Sequence, residues 1–223
     1  MGTIVHGWPK DAQRWLGSVR RHTAAHDFEA LMVVNGGDPW PDPDSWPEGA
    51  RGHSFEERVG WGKAANELIA QATGDVVVLF DPGTELTGDV AGPLLAALKD
   101  ESVALAGAFG VRCEDHVGHF QESQGPEVDA LEGYCLAFRR EQALECGGFD
   151  AKFRFYRIAD FDFSFRMRER YGTATIVPGL PLVKHEHRLW EALEPDERER
   201  LSKKNFFRFM DRWRGREDLL VER

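Results

Sequence analysis

Apolar and polar positions alternate along the chain in two rhythms, one of period two and one near 3.6, and their order predicts layered strands and helices. TIVHGW at Thr3–Trp8 reads as a short strand stopped by Pro9, and Trp15, Leu16 and Val19 follow at helical spacing. Ala30–Val34 is a second strand, closed by Asn35-Gly36-Gly37-Asp38, and residues 38–53, crowded with proline, aspartate and tryptophan, are expected as a loop. Gly62–Thr73 carries Ala65, Leu68, Ile69 and Ala72 on one helical face; Gly74-Asp75 ends it before the buried strand Val76–Phe80, which Asp81-Pro82-Gly83 cuts sharply. Thr87 is the expected cap of a helix holding Val90, Leu94, Leu95 and Leu98. Val103–Phe109 returns as a strand, Arg112–Asp129 reads as a loop or irregular hairpin over the site, and Leu131–Phe138 is strand-like. Arg140–Cys146 is a short helix stopped by Gly147-Gly148, and Asp160–Arg170 is another, with Phe161 and Phe165 inward. Thr173–Val177 and Leu182–Lys184 are late strands. From Pro195 to Trp213 a charged amphipathic helix sets Leu201, Phe206, Phe209, Met210 and Trp213 at helical spacing. Strands alternating with helices favour an α/β fold.

Length, charge and cysteines narrow this picture. The 223 residues suit one α/β domain, residues 1–194, with a C-terminal helical extension, 195–223, packed on it. A net charge of −10 argues against a general nucleic-acid binder, which needs a cationic footprint, but a small anionic ligand needs only local amides, arginines or a metal. The longest apolar run, Val76–Phe80, is strand-sized, the N-terminus lacks the pattern of a signal peptide, and His6 stands where a myristoylation motif needs serine or threonine. A cytoplasmic protein is expected. Cys113, Cys135 and Cys146 form no CxxC pair and read as small packed side chains in a reducing compartment.

Candidate chemistry lies in four segments at strand ends or helix starts, where open α/β sheets bind ligands. They are Asn35–Asp38, Gly62–Asn66, Asp81–Glu85, and Asp160–Asp162 with Arg166, followed by His185 and His187. In a strand those two histidines would share one face. Taken residue by residue, Asp160 also reads as a helix cap, Asp162 as a first-turn carboxylate, and Arg166 as its i,i+4 partner. Asp81 also reads as a turn former, Glu85 as a loop carboxylate, and Asn66 as a hydrogen-bonder within the fold.

Three stretches together carry a resemblance. GGFDAKFRFYRIADFDFSFRMRERYG (Gly147–Gly172) resembles the "GGFD…F…(E)D.D…R…G" block of glycosyltransferase family 2. GYCLAFRREQALEC before it resembles the family's glycine-led strand and "fRR" helix, and GKAANELIAQATGDVVVLFD resembles the helix, asparagine and aspartate-ended strand around its DxD motif. The resemblance runs from about Thr3 to His187. It implies a GT-A fold, with a mixed, mostly parallel sheet flanked by helices. The implied activity is inverting transfer of a hexosyl or deoxyhexosyl group from a nucleoside-diphosphate sugar to a glycan, lipid-linked or small-molecule acceptor.

The implied catalytic set is Asp160 as general base, with Asp162 and Arg166. Gly7, Trp8, Asn35, Gly36, Asn66 and Asp81 are implied at the donor, and Glu132 and Trp190 are expected at the acceptor. Mg2+ or Mn2+ is implied at Asp81, with Glu85, His185 and His187 as further ligands. Pro82-Gly83 replaces the rest of the DxD motif, so a metal-free variant leaning on Arg166 and backbone amides stays open. Ala159 replaces the glutamate that precedes the family's catalytic aspartate. A lipid-linked acceptor would place the enzyme at the inner face of the membrane, with the C-terminal helix as peripheral contact. The alternatives are a non-catalytic GT-A-like binding or assembly protein and a sugar nucleotidyltransferase. The latter needs a glycine-rich, basic N-terminal loop, and Thr3–Lys10 supplies only Gly7 and Lys10.

Overall fold

The computed structural model describes residues 1–37 and 50–222. The chain opens with strand β1 (Gly2–Val5), helix α1 (Pro9–Thr23), β2 (Ala30–Val34), β3 (Ala50–Ser54), α2 (Trp61–Gln71) and β4 (Val76–Phe80). A short β5 (Thr84–Leu86), α3 (Ala91–Ala97) and β6 (Val103–Gly107) follow. Four short strands come next, β7 (Gly110–Cys113), β8 (Phe120–Ser123), β9 (Glu127–Val128) and β10 (Ala130–Leu131). Then come β11 (Cys135–Arg139), α4 (Arg140–Glu145), α5 (Ala159–Tyr171), β12 (Thr173–Ile176), β13 (Leu182–Lys184), α6 (Arg188–Glu191) and α7 (Pro195–Trp213).

The main sheet has the strand order β3-β2-β1-β4-β11-β6-β12-β9. β3, β2, β1 and β4 run parallel, as do β6 and β12, while β11 lies antiparallel between β4 and β6. Successive strand residues face opposite layers. Ile4, Leu31, Val33, Val77 and Leu79 meet Ala65 and Leu68 of α2 and Phe163 and Met167 of α5. Val5, Met32, Val34, Val78 and Phe80 meet Trp15, Leu16 and Val19 of α1 and Leu94 of α3. A sheet covered on both faces explains why these strands read as unbroken apolar runs rather than alternating ones.

A second, three-stranded sheet, β10-β7-β8, packs with α5 and α7 through Val111, Val117, Phe161, Phe165, Phe209, Met210 and Trp213. Helix α7 is tied to α5 at buried Asp162, whose Oδ1 accepts from Arg212 Nη1 at 2.8 Å and Trp213 Nε1 at 3.0 Å. Asn205 of α7 donates to the carbonyls of Phe155 and Arg157, each at 2.8 Å, and so supports the segment leading into α5. Among the described residues no helix is long and apolar enough to cross a membrane.

Five local expectations change. Residues 50–53, expected within a loop, belong to the edge strand β3, Ala50–Ser54. Its sequence ARGHS lacks a strand pattern because pairing with β2, Ala30↔Ala50 through Val34↔Ser54, makes the strand. The rest of that expected loop, 38–49, lies outside the described residues. Thr87 caps nothing: its N–H goes to Pro181 O at 2.8 Å, and Asp89 instead accepts from Gly92 N at 2.9 Å in the first turn of α3. Arg112–Asp129 contains β8, which joins the three-stranded sheet packed on α7, and β9, the edge strand of the main sheet beside β12, and none of its residues lines the cavity described below. Leu131–Phe138 is broken by Glu132-Gly133-Tyr134, since β10 and β11 belong to different sheets. Helix α5 starts at Ala159 and its cap position is Ile158, so Asp160 lies inside the first turn.

Candidate active site

A cavity of about 240 Å³ opens beyond the carboxyl ends of β1 and β4. Four further pieces of wall come from other parts of the chain: the Glu132–Tyr134 break, Tyr156–Phe161 at the start of α5, Lys184 at the end of β13, and Glu186–Trp190. Among the described residues only two non-glycine residues have positive φ, Trp8 at 48° and Ile158 at 68°, and both line this cavity. Left-handed backbone is strained for side-chain-bearing residues, most of all β-branched ones, and tends to cluster at functional sites. Here Ile158 bends the chain so that α5 enters with Asp160 against the Glu132–Tyr134 segment.

Asp160 Oδ2 accepts the Gly133 N–H at 2.8 Å, and Oδ1 accepts the Phe161 N–H at 3.0 Å. A Cβ at residue 133 would sit 3.3 Å from Asp160 Cβ, slightly tighter than ordinary van der Waals contact. Burial pushes the Asp160 carboxyl up to about 7; Glu132 adds repulsion, while the amide hydrogen bonds pull the other way. The group therefore exchanges its proton near neutrality.

Asp81, immediately after β4, behaves oppositely. Its Oδ1 accepts the Gly83 N–H at 2.8 Å and its Oδ2 lies 2.9 Å from His187 Nε2. Burial pushes its pKa up, but the hydrogen bond and charge of His187, with the Gly83 amide, outweigh that and hold it below the usual carboxylate range. The His187 ring stacks on Tyr156, with centroids 4.0 Å apart and planes at 15°. The lost second aspartate of the DxD pattern has a steric reason. His185 N–H bonds Gly83 O at 2.8 Å as the chain crosses over this turn, and a Cβ at 83 would lie 2.9 Å from Asp81 Oδ1 and 3.0 Å from Glu186 O. The crossing segment thus sets the Glu186 carbonyl against Gly83 and brings His187 to Asp81. The Asp81 oxygen and His187 nitrogen fit a magnesium or manganese ion whose other positions are filled by phosphate or water oxygens.

The four expected metal ligands separate into two pairs. Strand β13 ends at Lys184, and His187 is the cap position of α6, so the two histidines diverge rather than share a face. His185 Nε2 pairs with Glu85 Oε2 at 2.9 Å, and neither residue lines the cavity. A different trio of candidate ligands, Glu114, Asp115 and His119, is gathered at the β7–β8 turn and shares no residue with the cavity.

Several expected contact residues are engaged within the fold and lie outside the cavity wall. Asp162 is 1% exposed and held by Arg166, Arg212 and Trp213, while Arg166 also reaches the carbonyls of Cys146 and Gly148; neither lines the cavity. Asn66 clamps the turn after α4, donating to Phe149 O at 2.8 Å and accepting from Phe149 N at 2.7 Å. Asn35 accepts from Val59 N at 3.0 Å and lies 3.1 Å from His6 Nδ1. Gly36, at φ 72°, packs on the Glu57 backbone, 1.9 Å from where a Cβ would stand. Asn35, Gly36 and Asn66 do not line the cavity either.

Gly7, Trp8, Asp81, Glu132, Asp160, His187 and Trp190 are brought together in the cavity wall. Glu132 pairs with Lys184 Nζ at 3.0 Å, and Trp190 carries Arg157 over its ring at 4.7 Å. Pattern reading missed His6, Asp11, Tyr156, Arg157, Lys184 and Arg188. His6 alone had a signal, as the first residue beyond β1.

The family model for Glycosyl transferase family 2 matches residues 44–169, more than half of the chain. No curated protein matches the sequence. Among solved structures, GalNAc-T7 with UDP, GalNAc and Mn2+ is similar at a TM-score of 0.70 and 16% identity, over 95% of this chain and 47% of its own. Mannosyltransferase PcManGT from Pyrobaculum calidifontis, in complex with GDP-Man and Mn2+, gives a TM-score of 0.65 and 19% identity, over 80% of this chain and 54% of its own. TarS of S. aureus gives 0.60 and 13%, over 96% of this chain and 43% of its own. The chain thus spans about half the length of these structures. With the family's model lying across both the β4 strand end and the α5 segment, and with this sheet shared by solved glycosyltransferases, the chain belongs to glycosyltransferase family 2 and has the GT-A fold.

Proposed function

We propose that this chain transfers a sugar, a hexosyl or deoxyhexosyl group, from a nucleoside-diphosphate sugar to an acceptor hydroxyl with inversion. The observation that carries this reading is the pair of carboxylates in one cavity with opposed proton affinities, Asp160 raised to about 7 and Asp81 held low. Such divergence separates a proton-transfer group from a permanently charged one.

Asp160 acts as the general base. The acceptor oxygen forms its bond to the anomeric carbon, its proton passes to an Asp160 oxygen, and the anomeric carbon–phosphate oxygen bond breaks with its electron pair leaving on the diphosphate. Base assistance of this kind contributes on the order of 10²- to 10⁴-fold. Gly133 and Phe161 N–H groups fix the carboxylate's direction. At the other end, Asp81 and His187 would hold magnesium or manganese, which supplies positive charge against the leaving diphosphate. The Mn2+ present with UDP and with GDP-Man in two similar structures supports that assignment. Gly7 and Trp8 form the donor-side wall, while Glu132 and Trp190 face the acceptor, a glycan, lipid-linked or small molecule. Residues 1–194 make the transfer domain. The 195–223 extension supports it through Asn205 and Arg212, and Asp162, Arg166, Asn35, Gly36 and Asn66 act by positioning.

Calorimetry of the intact protein across a panel of nucleoside diphosphates, with and without Mn2+, tests the donor half; no binding to any of them sinks the reading. Slow hydrolysis of the matching nucleotide sugar, abolished by chelator, would separate an active enzyme from a binding protein of the same fold.

A further inference from the structure

Strands β1 and β2 run parallel with Val5 opposite Val34, and Asn35 N–H bonds Val5 O at 3.0 Å. The next residues on each strand, His6 and Asn35, therefore stand side by side. Asn35 Oδ1 accepts the Val59 backbone N–H at 3.0 Å. A backbone N–H can only donate, so that end of the carboxamide is its oxygen. The opposite end, 3.1 Å from His6 Nδ1, is the NH2 group, which also can only donate. His6 Nδ1 is consequently an acceptor without a proton. Burial and the nearby Arg58 charge push the His6 imidazole down to about 4, so the ring is neutral at pH 7 and its single proton sits on Nε2.

That Nε2–H is buried and has no hydrogen-bond partner among the described residues, although His6 lines the cavity with Asp81 and His187. His187 Nδ1 is likewise buried and without a partner. Buried donors are nearly always paired, and the exceptions call for an explanation, a bound ligand among them.

We propose that His6 donates Nε2–H to a phosphoryl oxygen of the bound nucleoside diphosphate, and that Asn35, held by Val59, is the positioning residue that selects this tautomer. The identity of the ligand rests on the glycosyltransferase reading above. The same relay argues against His6 as a metal ligand, because Nδ1 is taken by the Asn35 NH2 and Nε2 carries the proton. It also gives Asn35 a role without substrate contact.

Long-range 1H–15N NMR of the histidine-labelled protein at pH 7 is expected to show His6 protonated at Nε2 only. Asn35→Asp presents oxygen to Nδ1 and should move the proton there or protonate both nitrogens. Affinities for UDP and GDP, read by calorimetry, complete the test. His6→Phe keeps a ring but no donor and should weaken binding about tenfold, the worth of one hydrogen bond to a charged oxygen. His6→Gln, which can place an N–H near the Nε2 position, should stay within about threefold of the parent. Thermal melts of each variant report whether it is folded. An unprotonated Nε2 in the parent, or equal affinity of parent and a folded His6→Phe, overturns this inference alone. A parent that binds no nucleoside diphosphate overturns the reading beneath it as well, and the two failures are thereby told apart.

Discussion

Replacing Asp160 by Asn should make the protein more stable and less active, with a stability gain that grows with pH. The folded structure raises this carboxyl from 3.8 to about 7, mainly by burial. Between those values the native state holds a proton that the unfolded chain has released, so stability falls as pH rises. The penalty is absent below about pH 4 and complete above about pH 7. At about 1.4 kcal/mol per pKa unit, the full penalty is of order 4 kcal/mol.

Asparagine escapes this penalty but cannot accept both amide bonds. With its oxygen toward one of Gly133 N and Phe161 N, its NH2 faces the other, a loss of about 1–2 kcal/mol. The net gain above pH 7 is therefore about 2–3 kcal/mol, shrinking to nothing near pH 5. Urea unfolding of both proteins at pH 5, 6, 7 and 8 measures it. Sugar transfer should fall by about 10²- to 10⁴-fold while donor affinity is retained, and parental transfer should rise with pH through about 7 and level off above about 8. A stability difference that is flat in pH would refute the raised proton affinity. Equal loss of donor binding and transfer would refute the base assignment.

Gly83→Asp, which restores the missing carboxylate on paper, should weaken Mn2+ binding at least tenfold by calorimetry, because its Cβ would fall against Asp81 and the Glu186 carbonyl. Asp162→Ala leaves Arg166 and Arg212 without their shared buried carboxylate and should cost about 3–5 kcal/mol in urea unfolding. Asn66→Ala strands both the N–H and the carbonyl of Phe149, a loss of about 2–4 kcal/mol by the same assay, with donor affinity unchanged in the folded fraction. Trp190→Ala should raise the acceptor KM severalfold without altering donor affinity; unchanged acceptor kinetics would remove Trp190 from the acceptor wall.

Much of the fold is legible in the residues because the signals that encode it are local. Val76–Phe80 and Ala30–Val34 read as strands and Gly62–Thr73 as a helix from periodicity alone, and the GG…D.D block singles out Asp160. The elements that escaped are those whose partners lie elsewhere. ARGHS becomes β3 only because β2 offers an open edge, and Leu131–Phe138 breaks because its two halves join different sheets.

The site divides in the same way. Asp162, Arg166 and Asn66 carry the residue types and spacing of catalytic groups, and nothing local reveals that Trp213 or Phe149 consumes their hydrogen bonds. The loss of the second DxD aspartate is plain in Asp81-Pro82-Gly83. Its cause, a segment more than a hundred residues later crossing over Gly83 to bring His187 against Asp81, is not. The sequence by itself determined the family, the strands and helices with a local pattern, and the nomination of Asp160 as base, since these depend on order and spacing within short stretches. Only the tertiary structure decided which acids, histidines and arginines share the cavity. Side chains from β1, β4, α5 and the His187 segment meet through packing of distant layers, and packing also sets which carboxylate keeps its proton.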